Sequence, residues 1–421
     1  MTVATLPEAP PTTAEDSAAP STQESVPAST VPTLGSETWT TEVASIDVVF
    51  GDGVLERLGG LCRDFGGRRA MVVTDPGLMA AGHPQRAVGF LERAGLTAQV
   101  FDAVGENPTT EHVAAGLEMA RSFGADVFVG LGGGSAMDCA KAVNLLLTNG
   151  GEMEDYWGFG KASKPLLPSV GVPATAGTGS EAQSFALISR ASDHVKMACG
   201  DRKARFRVVL LDPEVVATAP REVAVLAAID ALSHAVESYV TIAGTPLSKA
   251  LAREAWRYLP LALERWLGGQ EEARREMLWG AHLAGAAIEQ SMLGAAHSCA
   301  NPLTASFDVP HGDAVGVMLP AVVRFNAQEP AVAAAYAELM ASLPAASPLS
   351  TAAGKSPTEQ LAQLIDGLRE RAQRPRQLRE LGVAANDLEN LAQAASTQWT
   401  ANFNPRPIGE DDFRELYAQT L

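Results

Sequence analysis

From about Ile46 the chain alternates short apolar runs with longer amphipathic stretches. Arg69-Ala-Met-Val-Val-Thr-Asp75 reads as a buried strand, and so does Leu96-Thr-Ala-Gln-Val-Phe101, after a helical stretch around 84–94. Asp126-Val-Phe-Val-Gly-Leu131 is a third, followed by glycines and then the helical run Ala136–Leu147. Strands and helices alternating in this way predict a parallel sheet with helices on both faces. Ligands of such sheets bind beyond the carboxyl ends of the strands. After Leu211-Asp-Pro213 the pattern changes. Residues 219–421 are Ala- and Leu-rich with few strand signals, and 222–241, 247–267, 271–300 and 358–373 each read as a helix. The expected layout is an α/β domain over 43–218 and an all-helical domain over 219–421.

Composition adds limits to that layout. The chain has 421 residues, too many for one ordinary core, which supports two domains. Residues 1–42 are Pro, Ser, Thr, Ala and Glu with few bulky apolar side chains, so a disordered tail is expected, or alternatively a docking peptide. The net charge is −17, and residues 1–56 hold nine acids and no Lys or Arg. This acidity disfavours nucleic acid as a partner. Cys62, Cys139, Cys199 and Cys299 lie far apart without a CxxC, giving neither a disulfide framework nor a thiolate zinc site. No apolar run reaches membrane-spanning length on this reading, and the start lacks the basic and apolar regions of a signal peptide. A cytoplasmic protein with no membrane partner is expected.

Two glycine-rich segments carry candidate chemistry. Gly132, Gly133, Gly134 and Ser135 follow a predicted strand and open a predicted helix. Backbone without Cβ atoms can approach a phosphate closely, and a helix N-terminus favours its charge. A plain tight turn is the alternative. Asp138 and Lys141 fall on the first turns of this helix, where spacing alone reads them as a helix-start charge and a solvated lysine. Pro173-Ala-Thr-Ala-Gly-Thr-Gly-Ser-Glu181 combines glycines with hydroxyls, as a pyrophosphate requires. Two such loops in one α/β domain suggest a dinucleotide. Asp75 ends its strand where a carboxylate could accept from an adenosine ribose and repel a 2′-phosphate, or could simply be a turn residue.

The chain has only seven histidines, and four residues stand out in the helical half: Asp230, His234, His297 and His311. Asp230 and His234 are i,i+4 and share a helix face. One oxygen and three imidazoles suit a divalent transition metal such as Fe²⁺ or Zn²⁺. A surface Asp/His pair fits the same spacing.

These residues, in order, resemble the iron-containing (group III) alcohol dehydrogenases, which have a dehydroquinate-synthase-like fold. The resemblance covers roughly 43–421 and is carried by Val73-Thr-Asp75, Asn107-Pro-Thr109, Gly132–Asp138 with Lys141, and Ala176–Glu181. It continues through Lys196-Met197, Leu211-Asp-Pro213, Asp230–Glu237, Pro310-His-Gly312 and Asn404-Pro-Arg-Pro407. It implies a Rossmann-like NAD-binding domain followed by a metal-binding helical one. Asp230, His234, His297 and His311 would hold the metal, usually Fe²⁺. Gly132–Ser135 and Thr175–Thr178 would hold the NAD phosphates, and Asp75 would select NAD over NADP. Lys196 matches a lysine near the cofactor, and Asn107 and Asp138 lie in matching cofactor segments. The implied reaction is NAD-linked interconversion of a primary alcohol and its aldehyde by a cytoplasmic homo-oligomer. The family often has a second histidine near the nicotinamide, one turn after His297. Here that position is Asn301, so His297 and Asn301 form the expected catalytic pair, and proton release is expected to bypass side chain 301. His282, on the preceding stretch of the expected helix 271–300, is a candidate relay, with an ordinary packed or exposed histidine the favoured reading. Ala228 also departs from a common glycine. Same-fold alternatives are a glycerol dehydrogenase, a maleylacetate reductase or a cofactor-binding homologue without turnover.

Overall fold

The computed structural model describes residues 34–193, 195–344 and 354–421. Ten strands build two sheets: β1 (Trp39–Val43), β2 (Ile46–Phe50), β3 (Arg69–Val73), β4 (Thr97–Phe101), β5 (Val127–Gly132), β6 (Gly158–Phe159), β7 (Ser169–Pro173), β8 (Phe185–Ser189), β9 (Lys196–Gly200) and β10 (Val208–Leu211). The main sheet runs β1-β2-β10-β7-β5-β3-β4. It is parallel throughout except for β1, which pairs antiparallel with β2. The inner strands β5, β7 and β10 are buried along their whole length, which is why they read as unbroken apolar runs. After β4 the chain returns to pair β5 on the other side of β3. The order therefore reverses between β3 and β5, and a ligand crevice opens beyond their carboxyl ends. Asp75 follows β3 and Gly132–Gly134 follow β5 at this point.

From Arg221 onward the described chain is helical, as expected. The core does not respect the change of character. One hydrophobic cluster joins Val48, Phe50, Val209 and Leu211 of the sheet to Ile229, Leu232, Trp256 and Leu283 of the helices.

Several expectations need correction. Residues 39–42, expected in the tail, form part of β1, and the preceding residues also pack. Leu34 N donates to Glu276 Oε1 at 3.1 Å, and Arg275 donates to the Gly35 carbonyl at 2.8 Å. The Trp39 ring stacks on Phe50 at 4.9 Å. Residues 1–33 of the expected tail lie outside the described residues. The single helix expected over 271–300 is a 3-10 turn Glu271–Ala273, a helix Arg274–Glu289 and a separate helix Ala295–Phe307. The short sheet β6-β9-β8 was not anticipated. The helix Arg221–Val240 is, by length and composition, apolar enough to cross a membrane, contrary to expectation, but it is largely buried inside the protein.

Candidate active site

Asp230 and His234 lie on the helix Arg221–Val240, His297 in the first turn of Ala295–Phe307, and His311 at the start of His311–Asn326. The three imidazoles converge on one oxygen. Asp230 Oδ1 stands 3.2 Å from His234 Nε2, 3.5 Å from His297 Nε2 and 3.7 Å from His311 Nε2. Ligand atoms of Asp230, His297 and His311 all fall within 4.8 Å of one another. Donors about 2.0–2.2 Å from a common ion at tetrahedral angles stand roughly 3.3–3.6 Å apart, so the cluster has the size of a metal site. Asp230 Oδ1 and His297 Nε2 are buried and have no hydrogen-bond partner. Buried polar atoms of this kind are ordinarily satisfied, and a cation among these donors would satisfy them. The residues therefore fit a divalent transition metal.

The local electrostatics are consistent with this. Burial works to raise the Asp230 pKa, but His234, His297 and His311 hold it well below the usual carboxylate range. Burial opposes charge on His297, yet the Asp230 and Glu237 carboxylates outweigh it and push His297 up to about 9. Burial drives His311 down to about 3, despite Asp230, with His297 and Lys196 adding repulsion. Glu237 was quoted in the Asp230–Glu237 segment but given no role. Its Oε2 faces His297 Nδ1 at 2.5 Å, and its Oε1 accepts from Ala296 N at 2.7 Å. A carboxylate only accepts, so His297 Nδ1 carries a proton, which leaves Nε2 as the nitrogen that would give up its proton and turn its lone pair to an ion. Only the spacing three residues after His234, on the same helix face, could have singled Glu237 out.

The cofactor candidates gather at the sheet reversal. Asp75 caps the helix Pro76–Ala81, its Oδ1 accepting from Leu78 N at 3.0 Å. Its Oδ2 would lie 3.1 Å from a Cβ on Gly132. The two glycine-rich loops face each other, with Thr175 Oγ1 3.9 Å from a Cβ position on Gly133 and Thr178 Oγ1 3.0 Å from one on Gly134. Ser135 lies on the first turn of the helix Gly134–Asn149, which opens at this contact. Lys196 Nζ donates to Asn107 Oδ1 at 3.2 Å. Its ammonium is close enough to the metal cluster to oppose protonation of His311.

Three readings change. Asp138 and Lys141 are buried, neither a plain helix-start charge nor a solvated lysine. Lys141 Nζ donates to the Ser180 carbonyl at 2.7 Å, Ser180 Oγ at 3.0 Å and the Phe185 carbonyl at 2.8 Å. Asp138 accepts from Ser180 Oγ and, at 3.0 Å, from Leu187 N, so it stands behind the second loop and holds it. His282 is no relay along His297's helix, because the chain breaks between them. Its Nδ1 instead meets Glu181 Oε1 at 3.1 Å. Asn301 lies on the same helix as His297, with its amide donating to Gln398 Oε1 at 3.1 Å.

A cluster of metal-binding side chains in the same molecule as a glycine-rich crevice at a sheet reversal fits a metal-dependent dehydrogenase. Known proteins agree. The family description "Iron-containing alcohol dehydrogenase" matches residues 45–213, and "Fe-containing alcohol dehydrogenase family, C-terminal" matches residues 224–421. Alcohol dehydrogenase 4 of Schizosaccharomyces pombe is 33% identical over 89% of this chain and 87% of its own. The NAD-dependent methanol dehydrogenase of Bacillus methanolicus is 32% identical over 89% of this chain and 97% of its own. A solved 1,3-propanediol oxidoreductase superposes with a TM-score of 0.83 at 30% identity, covering 92% of this chain and all of that one. A sulfoacetaldehyde reductase from Bifidobacterium kashiwanohense, solved with NAD⁺, superposes with a TM-score of 0.77 at 25% identity, covering 91% and 98%. The chain belongs to the iron-containing alcohol dehydrogenase family, and is an oxidoreductase acting on CH–OH groups.

Proposed function

We propose that the protein interconverts a small primary alcohol and its aldehyde, using NAD and an Fe²⁺ ion held by Asp230, His234, His297 and His311. The observation that carries this reading is the convergence of three imidazole nitrogens on the otherwise unpartnered Asp230 Oδ1. The bound ion supplies Lewis acidity toward the substrate oxygen, and the nicotinamide carries the hydride. This chain's residues do the positioning. Glu237 fixes the His297 tautomer and ring, and the facing loops at Gly132–Ser135 and Thr175–Thr178 anchor the pyrophosphate. Lys196, tied to Asn107, stands between cofactor and metal. Asp75 faces the adenosine ribose. Asn301 has no titratable group, so it orients by hydrogen bonding and moves no proton. Relatives named for methanol, 1,3-propanediol and lactaldehyde support a small substrate. Zn²⁺ is the competing ion. A cytoplasmic homo-oligomer without nucleic-acid or membrane partners completes the reading, with its oligomeric state open to light scattering.

Anaerobic loading with Fe²⁺ tests the core of this reading. Elemental analysis should show one ion per chain, and short alcohols should then reduce NAD. A His311→Ala protein that keeps full metal content would remove that residue from the ligand set. Loaded protein inert toward every alcohol and aldehyde tried, and gaining turnover as Asn301→His, would favour a homologue without turnover.

A further inference from the structure

The helix Arg274–Glu289 belongs to the helical half, yet it presents three residues, each about one turn from the next, to the second glycine-rich loop. His282 Nδ1 meets Glu181 Oε1 at 3.1 Å, with both side chains buried. Gly285 meets Gly179 backbone to backbone. A Cβ on Gly179 would stand 2.4 Å from Gly285 Cα, and one on Gly285 would stand 2.6 Å from Gly179 Cα. Gly179 also has a φ of 64°, so glycine is required there both for its backbone conformation and for the close approach. Finally, Glu289 Oε2 accepts from Ser184 N at 2.8 Å and Ser184 Oγ at 2.9 Å. The imidazole is itself fixed by packing. Trp279 stacks on it at 5.9 Å, and Trp39 of β1 meets Trp279 edge-on at 4.8 Å.

On its other side the same loop is held from the α/β half by Lys141, which grips Ser180. The segment Thr178–Ser184 is thus wedged between the two halves, with Thr178 against the Gly134 helix start. None of His282, Glu181 or Glu289 lies among the proposed metal ligands, and a buried imidazole–carboxylate contact commits two polar groups where plain packing would use apolar ones. We infer that His282, acting through Glu181, and Glu289, acting through Ser184, are positioning residues for the phosphates of the nicotinamide cofactor. The helical half then sets cofactor affinity as well as holding the metal. This rests on the NAD-linked reading above.

Iron-loaded full-length protein, titrated with NADH by fluorescence and assayed at steady state, tests the inference. Losing a buried hydrogen bond to a carboxylate should let the loop relax. In His282→Leu, the Kd for NADH and the KM for NAD should rise about tenfold. The kcat at saturating NAD and the KM for the alcohol should stay within about twofold. His282→Asn places an amide N–H near the position of Nδ1 and should recover binding to within about threefold of the parent. Glu289→Met, which removes the acceptor for Ser184 N and Oγ at similar length, should move Kd the same way and serves if His282→Leu fails to fold. Folded variants that bind NADH like the parent would overturn the inference. So would a uniform fall in kcat with no change in NADH affinity, or His282→Asn binding as weakly as His282→Leu. If the parent itself binds no NADH, the nicotinamide reading fails first, which separates the two failures.

Discussion

Glu237 and Asp75 act by opposite means, one by orienting a neighbour and the other by its charge. Glu237 engages His297 Nδ1 and Ala296 N with its two oxygens. In Glu237→Gln one of those positions must become an NH₂, which either orphans the Ala296 amide or faces the imidazole with a donor. In the second case the ring takes the other tautomer, and Nε2 loses its lone pair toward the cluster. Iron affinity should fall about 10- to 100-fold, measured by competition with a chelator. Unchanged affinity would mean that the carboxylate does not set the ring. Asp75 caps a helix as well as being the proposed partner of the ribose, so Asp75→Ala would lose about 1 kcal/mol of capping in addition to the charge. Asp75→Asn keeps the cap and isolates the charge. The parent should prefer NAD over NADP in kcat/KM, and Asp75→Asn should narrow that preference. Equal values for both cofactors in the parent would refute the role. The four ligand candidates were legible because each is a metal-binding residue type at a helical spacing or helix start. Lys141 was misread as solvated because Ser180, which it grips, lies 39 residues away, whereas His282 is the packed histidine expected, its partner Glu181 lying 101 residues away. Charge on a helix looks the same in sequence whether it faces water or a distant loop.

At the scale of elements, β3, β4 and β5 were readable as apolar runs, while the short sheet β6-β9-β8 was not. Nor was the break within 271–300. Its sequence stays Ala-rich and helical in period, and only Gly294 signals the interruption. The structure shows why that residue is glycine. A Cβ there would stand 2.9 Å from Asn404 Oδ1 and 3.1 Å from Glu237 Oε1. These are the oxygens that cap the new helix, Asn404 accepting from Ala295 N at 3.2 Å and Glu237 from Ala296 N. Asn404 is held in turn by Asn326 through hydrogen bonds of 2.7 and 3.0 Å. The Asn404-Pro-Arg-Pro407 motif thus contributes to aiming His297, a role that its sequence does not disclose. Gly294→Ala must push Glu237 or Asn404 aside. It should cost about 1–3 kcal/mol by denaturant titration and lower iron affinity in parallel. A loss of stability with iron affinity intact would place the effect in the helix cap alone.

For the molecule as a whole, the order of an α/β half and a helical half was plain from the change in periodicity. Their shared core and the loop wedged between them were not, because contacts between halves leave no periodic trace. The metal cluster belongs to this larger scale too. Its candidate ligands come from three helices, Arg221–Val240, Ala295–Phe307 and His311–Asn326. An ion bound among them therefore ties together segments that the unfolded chain separates. Any ligand that binds the native state alone adds RT ln(1 + [L]/Kd) to stability, about 2.7 kcal/mol when free ion stands at 100 times Kd. Part of that affinity would come from satisfying Asp230 Oδ1 and His297 Nε2, which are buried without hydrogen-bond partners. Anaerobic removal of Fe²⁺ with a chelator should therefore lower the thermal midpoint. Stepwise return of Fe²⁺ should raise it with the logarithm of free ion. His311→Ala should flatten that rise while leaving any response to NADH in place, since the loops proposed to hold the cofactor do not include that residue. A midpoint indifferent to iron in the parent protein would show that the cluster holds no ion. A full iron response in His311→Ala would confine the site to Asp230, His234 and His297.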